Sequence, residues 1–133
     1  VFTYCLPIAM ELTSHPQIEI IFLGGKVEKT SMVSLGNEVV HKFSNIHVDM
    51  CFLGTGSIGP DEGITEGSYD VSLIKRSIVT ASDKVVSLAT SNKLGLRQSF
   101  TICKPSEISY LITELNPTSD KLAPFSKAGI PLL

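Results

Sequence analysis

The chain has 133 residues, one domain by length and enough for a real core. Apolar residues at 43% argue against disorder, and a net charge of −2, from 11 basic and 13 acidic residues, argues against a module whose main contact is DNA. Cys5, Cys51 and Cys103 follow neither zinc nor disulfide spacing, no run of ~18 apolar residues marks a membrane span and no signal-peptide pattern opens the chain, so it reads as cytoplasmic, without metal or cofactor.

In chain order the elements alternate. Val1–Thr3 reads as the end of a strand, and Pro7–Thr13 as a helix that begins on a proline and breaks at His15-Pro16. The opening without an initiator Met reads as a fragment whose upstream part is cut away or not covered. Ile18–Leu23 is a nearly unbroken apolar strand ending at Gly24-Gly25, with a loop after it. Asn37 is a candidate cap for a short helix with Val39, Val40 and Phe43 inward. Val48–Leu53 is the next strand. Ser68 or Asp70 caps a helix whose apolar stripe is Val71, Ile74, Ile78 and Ala81, with Lys75 and Arg76 off that stripe. Lys84–Ala89 is a strand that exits through Ser91–Gly95. Phe100–Cys103 and Tyr110–Thr113 are short strands, Ser119 caps a last helix ending at Gly129, and Ile130–Leu133 is a candidate closing strand. The pattern is that of an α/β protein, a mostly parallel sheet with helices on both faces, in which 18–23, 48–53 and 84–89 are the central strands.

Ligands of such sheets bind past the carboxyl ends of the strands. The loops to search are therefore Thr3–Leu6, Gly24–Lys26, Gly54–Gly63 and Thr90–Gly95. The third is the most informative. The apolar run Val48–Leu53 ends abruptly in glycines at 54, 56, 59 and 63, a pattern that lets backbone approach a bound group and offers amides to an anion. It matches neither the dinucleotide fingerprint nor a P-loop, and a tight structural turn explains it equally well. Across these loops the chain offers hydroxyls (Thr3, Thr55, Ser57, Thr90, Ser91), amides, and the lysines Lys26 and Lys93. That set suits a phosphorylated polyol or sugar; the competing reading is of solvated loop lysines.

Catalytic groups are sparse. His15, His41 and His47 fall outside the exit loops. Asp61 and Glu62 are adjacent and point apart, so they make no acid/base pair. Asp49, an acid within an apolar strand, either bonds loop amides or a ligand hydroxyl or simply starts the strand.

The ordered motifs resemble those of the carboxyl-terminal effector domain of DeoR-family bacterial repressors. Val1-Phe2-Thr3-Tyr4-Cys5-Leu6-Pro7-Ile8-Ala9 is similar to V-V-T-N-S-L-P-I-A. Ile18–Lys26 is similar to the family's apolar strand ending in Gly-Gly, and Val48-Asp49 through Gly63-Ile64-Thr65 to V-D-x-x-F-L-G followed by G-L-T. Ile74-Lys75-Arg76-Ser77-Ile78 resembles V-K-R-A-M, Leu88–Gly95 resembles L-A-D-S-S-K-F-G, and Tyr110–Glu114 carries the later I-T-D. The set covers almost the whole chain. It implies a fold like ribose-5-phosphate isomerase and glucosamine-6-phosphate deaminase, used to sense a phosphorylated sugar rather than transform it. It also implies operator DNA bound through an amino-terminal winged helix-turn-helix upstream, and a homo-oligomer. The family's first strand and its glycine-threonine phosphate loop belong just before Val1, so the fold is expected with its first strand missing. Carried over by motif, the ligand-binding candidates are Thr3, Gly24, Gly25, Gly54, Gly56, Lys75 and Lys93. Lys26 and Thr55 join them from the loops themselves. Two departures stand out: Tyr4 replaces the family's Asn, and Thr90 its Asp. A sugar-phosphate isomerase or deaminase on the same fold, and a pure oligomerisation module, are the rival readings.

Overall fold

The two longest strands form where apolar runs lie side by side. In the computed structural model, which describes all residues from Val1 to Leu133, β5 (Val48–Gly54) pairs in parallel with β8 (Ser82–Leu88) from Val48↔Ser82 to Gly54↔Leu88. β10 (Tyr110–Ile112) flanks β8 on the other side, also parallel. Side chains alternate across this sheet. Cys51, Leu53, Val85 and Leu111 turn to one face and are buried, while Met50 and Phe52 of the other face are exposed. The buried face meets Ile58, Ile64, Ile102, Cys103, Leu122, Phe125 and Ile130 in a core of 14 buried residues.

A second parallel pair, β1 (Phe2–Thr3) and β2 (Ile21–Phe22), is far shorter. It belongs to a smaller cluster of Leu23, Val39, Phe43 and Ile74, with Phe2 and Tyr4 packed against it. α3 (Tyr69–Thr80) links the two cores, because Ile78 packs against both. Ser68 caps α3 by accepting from the Val71 amide, as its hydroxyl suits it to do. α1 (Leu6–Leu12) follows β1, and α4 (Ala123–Lys127) closes the larger core. Two antiparallel units complete the chain. β3 (Lys26–Glu28) and β4 (Val33–Leu35) form a hairpin, and β6 (Ser57–Gly59), β7 (Gly63–Glu66) and β9 (Phe100–Cys103) form a small sheet in the order β6-β7-β9. No helix is long and apolar enough to cross a membrane.

The α/β architecture with a parallel sheet is the one expected; several details differ. The run 18–23 yields only Ile21–Phe22 as strand, because its partner β1 offers two residues. Of the three runs expected to be central, only the strand at 82–88 has neighbours on both sides. The stretch after Gly25 is a hairpin rather than a loop. So is most of Gly54–Gly63, where Gly59 pairs with Gly63 and φ at Gly63 is 76°. Gly36, not Asn37, is the residue before α2 (Asn37–Phe43): its φ of 121° is one that glycine alone takes readily. The last helix is regular only over Ala123–Lys127, where Pro124 sits in its first turn, and it ends as expected before Gly129 at φ 81°. Ile130–Leu133 makes a single bridge, Leu132 beside Leu111, rather than a full strand.

Candidate functional site

The exits of β1 and β5 converge on one buried ion pair. The inner face of α3 buries Ser72, Ile74 and Val79, and with them Lys75, which was expected off the apolar stripe. A buried ammonium needs a partner. Lys75 Nζ lies 2.5 Å from Glu66 Oε2, with side-chain exposures of 10% and 14%. The other Glu66 oxygen accepts from the amides of Gly67, at 2.9 Å, and Ser68, at 3.3 Å. Burial alone would raise the Glu66 pKa, but Lys75 and these amides outweigh it and hold the carboxyl below its usual range.

Tyr4, at the exit of β1, is near enough to feel that carboxylate. Burial first, then the charge of Glu66, pushes its phenol up to about 12, so it stays protonated at neutral pH. Its ring meets Phe43 edge-on at 6.1 Å. Gly56, at the exit of β5, covers the pair from the other side. A Cβ there would stand 2.8 Å from Gln98 Oε1 and 3.1 Å from Glu66 Oε2. Gln98 is held in turn: its Oε1 accepts from Ser57 Oγ at 3.0 Å, and its backbone N–H donates to Thr65 Oγ1 at 2.9 Å. Beside Tyr4, Ser34 donates its backbone N–H to the Tyr4 carbonyl, and its fully buried Oγ has no hydrogen-bond partner.

The β8 exit is fixed by a second acid. The Ser91 amide donates to both oxygens of Glu114, at 2.9 and 3.0 Å, and the Thr113 hydroxyl donates to it as well. The Ser91 bonds lead the effects that lower the Glu114 carboxyl to about 2. Thr90 spends its hydroxyl on Asn92 within the same turn. Lys93 ends this turn, half-buried and in no ion pair.

The structure sorts the expected site residues. Thr3 is buried, its Oγ1 accepting from the Cys5 amide. Thr55 is also buried, and its hydroxyl is engaged with Ser87 Oγ at 2.6 Å and the Leu53 carbonyl. Thr55 therefore serves the sheet. Gly25 is a packing glycine: a Cβ would meet the Leu35 carbonyl at 2.6 Å. Gly24 accepts from Lys42 Nζ through its carbonyl. Gly54 has nothing within 4 Å of a would-be Cβ, so the backbone is open there. Lys26 is exposed on the hairpin edge and ion-paired to nothing. Thr3, Gly56 and Lys75 thus gather around Tyr4 and Glu66. Gly54 and Lys93 lie at the same end of the parallel sheet, whose register places Gly54 opposite Leu88. Two cavities of about 210 Å³ lie away from the Lys75–Glu66 pair, one between Phe43, His47 and Thr80, the other between Lys121, Phe125 and the ends of two exit loops at Pro60, Leu94 and Gly95.

None of the acids and histidines singled out in the sequence as possible general bases stands at this end. Asp49 is exposed near the start of β5, opposite to Gly54, and Asp61 and Glu62 lie in the β6–β7 turn. His15, His41 and His47 are exposed, and His47 pairs with Asp83 at 3.2 Å.

Residues 1–115 match the family described as the DeoR C terminal sensor domain. The chain belongs to this family. It is 32% identical over 133 residues to the HTH-type transcriptional repressor GlcR of Bacillus subtilis, covering 100% of this chain and 51% of the relative. It is 30% identical over 132 residues to the HTH-type transcriptional regulator GolR of Listeria innocua, covering 99% and 52%. With the HTH-type transcriptional regulator UlaR of Escherichia coli it shares 21% over 133 residues, covering 100% and 52%. The chain thus spans about half the length of these relatives. The family is a regulatory sensor, not an enzyme family. In this sensor domain, sequence reasoning missed Glu66, Gln98 and Glu114. Glu66 stands nine positions before Lys75 on a different element, so no helical or strand spacing pairs them. The one available signal was the helix cap: an acid just ahead of Ser68 sits where backbone amides point outward.

Proposed function

We propose that this sensor domain binds a phosphorylated sugar across the exits of β1, β5 and β8, as part of a homo-oligomeric transcriptional regulator of sugar metabolism in the cytoplasm. Operator DNA is bound through an amino-terminal helix-turn-helix outside this chain. The ligand favours one arrangement of the oligomer and so changes operator affinity. The observation that carries the reading is the convergence of Tyr4, Gly56, Glu66 and Lys75 at the ligand end of the parallel strands. It is supported by Lys93, a cation with no partner of its own, in the neighbouring exit turn. Charge-assisted bonds to a phosphate contribute about 1.5–3 kcal/mol each, and every 1.4 kcal/mol is tenfold in affinity.

The test is calorimetry of the intact protein with a panel of pentose and hexose phosphates and their free sugars, beside an operator gel shift. A sugar phosphate should bind and its free sugar should not. Lys93→Ala should weaken that binding at least tenfold while operator binding without ligand stays unchanged. Equal affinity of Lys93→Ala and the parent protein would make Lys93 an ordinary surface lysine. Binding of no sugar phosphate at all would remove the effector reading.

A further inference from the structure

We infer that Glu66 sets the charge selectivity of the proposed effector site: by matching Lys75, it makes the inner end, between β1 and β5, a receptor for uncharged hydroxyls and leaves the phosphate to the Lys93 side. The inference rests on the effector reading above and deepens it. Taken alone, the Lys75 ammonium has the charge to suit a phosphate, and it is buried near the exits of β1 and β5. Its charge is already cancelled one for one by Glu66 at 2.5 Å. A phosphate placed there would face the carboxylate as well as the ammonium.

The groups around the pair suit hydroxyls instead. Glu66 Oε1 is occupied by the amides of Gly67 and Ser68. Oε2 takes Lys75 and keeps acceptor capacity, since a carboxylate oxygen accepts more than one bond. It lies toward Gly56, where a Cβ would stand 3.1 Å from it and 2.8 Å from Gln98 Oε1, so the glycine is what leaves room for both side chains. Tyr4 brings a phenol that stays protonated, and Gln98 a carboxamide able to donate. Acceptor, donors and a neutralised cation side by side are what vicinal hydroxyls require. Lys93, one exit away, is in no ion pair, and the carboxylate that holds its turn, Glu114, is already engaged by the Ser91 amide and the Thr113 hydroxyl.

The experiment compares the intact protein with Glu66→Gln, which keeps shape and removes the charge. Inorganic phosphate is the probe, titrated by calorimetry at neutral pH. Glu66→Gln should bind phosphate at least tenfold more tightly than the parent, because Lys75 is then unmatched. Adding Lys75→Gln should abolish that gain. Equal phosphate affinity in the parent and Glu66→Gln, or a gain that survives Lys75→Gln, overturns the inference. Should Glu66→Gln fail to fold, Glu66→Thr carries the same expectation. In the sugar-phosphate panel, Glu66→Gln should lose at least tenfold toward the ligand the parent prefers. A parent that binds no sugar phosphate sinks the effector reading alone; the phosphate comparison still decides what Glu66 does to Lys75.

Discussion

The two groups of parallel strands began from similar sequence and came out very differently. Ile18–Leu23 and Val48–Leu53 are both nearly continuous apolar runs. One became a two-residue strand with Ile21 and Phe22 exposed; the other became a seven-residue strand carrying the main core. Neighbours make the difference. β5 is paired along its length by β8, whereas β2 meets only the two residues of β1. An apolar run is a strand only as far as another backbone satisfies its amides and carbonyls. The long, fully paired group therefore anchors the β5 and β8 exits, and the slight group carries Tyr4.

Matched truncations at the two strand ends test this contrast most strongly. Leu53 and Leu23 are both buried, at 3% and 6% exposure. Leu53→Ala opens a cavity in the larger core and should cost about 4 kcal/mol, while Leu23→Ala lies beside strands free to collapse and should cost about 2 kcal/mol. Urea unfolding measures both. Equal losses would mean that the small cluster is as firmly built as the large one.

The buried pair joins the two regions, so breaking it should affect both. Lys75→Met strands the Glu66 carboxylate, which is mostly buried but keeps its two amide bonds. The expected cost is about 2–3 kcal/mol, less than for a fully enclosed charge, and Glu66→Gln on top should recover part of it. A double-mutant cycle reads the coupling. Additive losses would separate Glu66 from Lys75.

The motifs made part of this visible in advance. β5, β8, the Ser68 cap and the stop at Gly129 were legible because each rests on local pattern: apolar runs, a capping hydroxyl, a glycine at positive φ. The hairpins at 26–35 and 57–66 were not. The first turns through Lys29-Thr30-Ser31-Met32, which has no turn glycine to mark it, and the second through Pro60-Asp61-Glu62 between Gly59 and Gly63, letters that serve a ligand loop equally well. Lys75 was legible as a motif letter; its partner was not, because a contact between a strand end and a helix interior has no period. By its place in an exit loop Thr55 is a ligand candidate, but its hydroxyl is bonded to Ser87 across the sheet. Such cross-strand contacts depend on register, which the sequence alone leaves open.

Titration should distinguish the regions next. Tyr4 in the small cluster and Cys103 in the large one are both pushed up to about 12, chiefly by burial. A raised folded pKa favours the protonated state. Its stabilisation is therefore full below the unfolded value, near 10 for Tyr4 and 9 for Cys103, and is lost as pH rises toward 12. The Glu66 pKa is lowered, so its contribution is present above the unfolded value of 4.5 and is lost in acid as pH falls through the folded value. Stability should thus be level from about pH 5 to 9 and fall on both sides. Tyr4→Phe should remove about 1–2 kcal/mol of the alkaline loss between pH 10 and 12. An unaltered alkaline limb in that variant would assign the loss to the buried thiols, Cys103 and Cys51, which burial also pushes up.

The smallest expected effect lies next to the largest. Phe52 adjoins Leu53 on β5, yet alternation sends it to the other face of the sheet, where it is 66% exposed. Most of its surface already meets water, so little transfer energy is at stake. Threonine also suits a strand. Phe52→Thr should therefore change stability by no more than about 0.5 kcal/mol, as surface substitutions do. The contrast with about 4 kcal/mol at Leu53 would show that strand membership alone does not make a residue core. A loss above about 1.5 kcal/mol would mean that Phe52 is covered in solution. Repeating the unfolding at several protein concentrations then identifies the cover: a midpoint that rises with concentration assigns it to a second copy of the chain. A fixed midpoint assigns it to a segment of the same polypeptide.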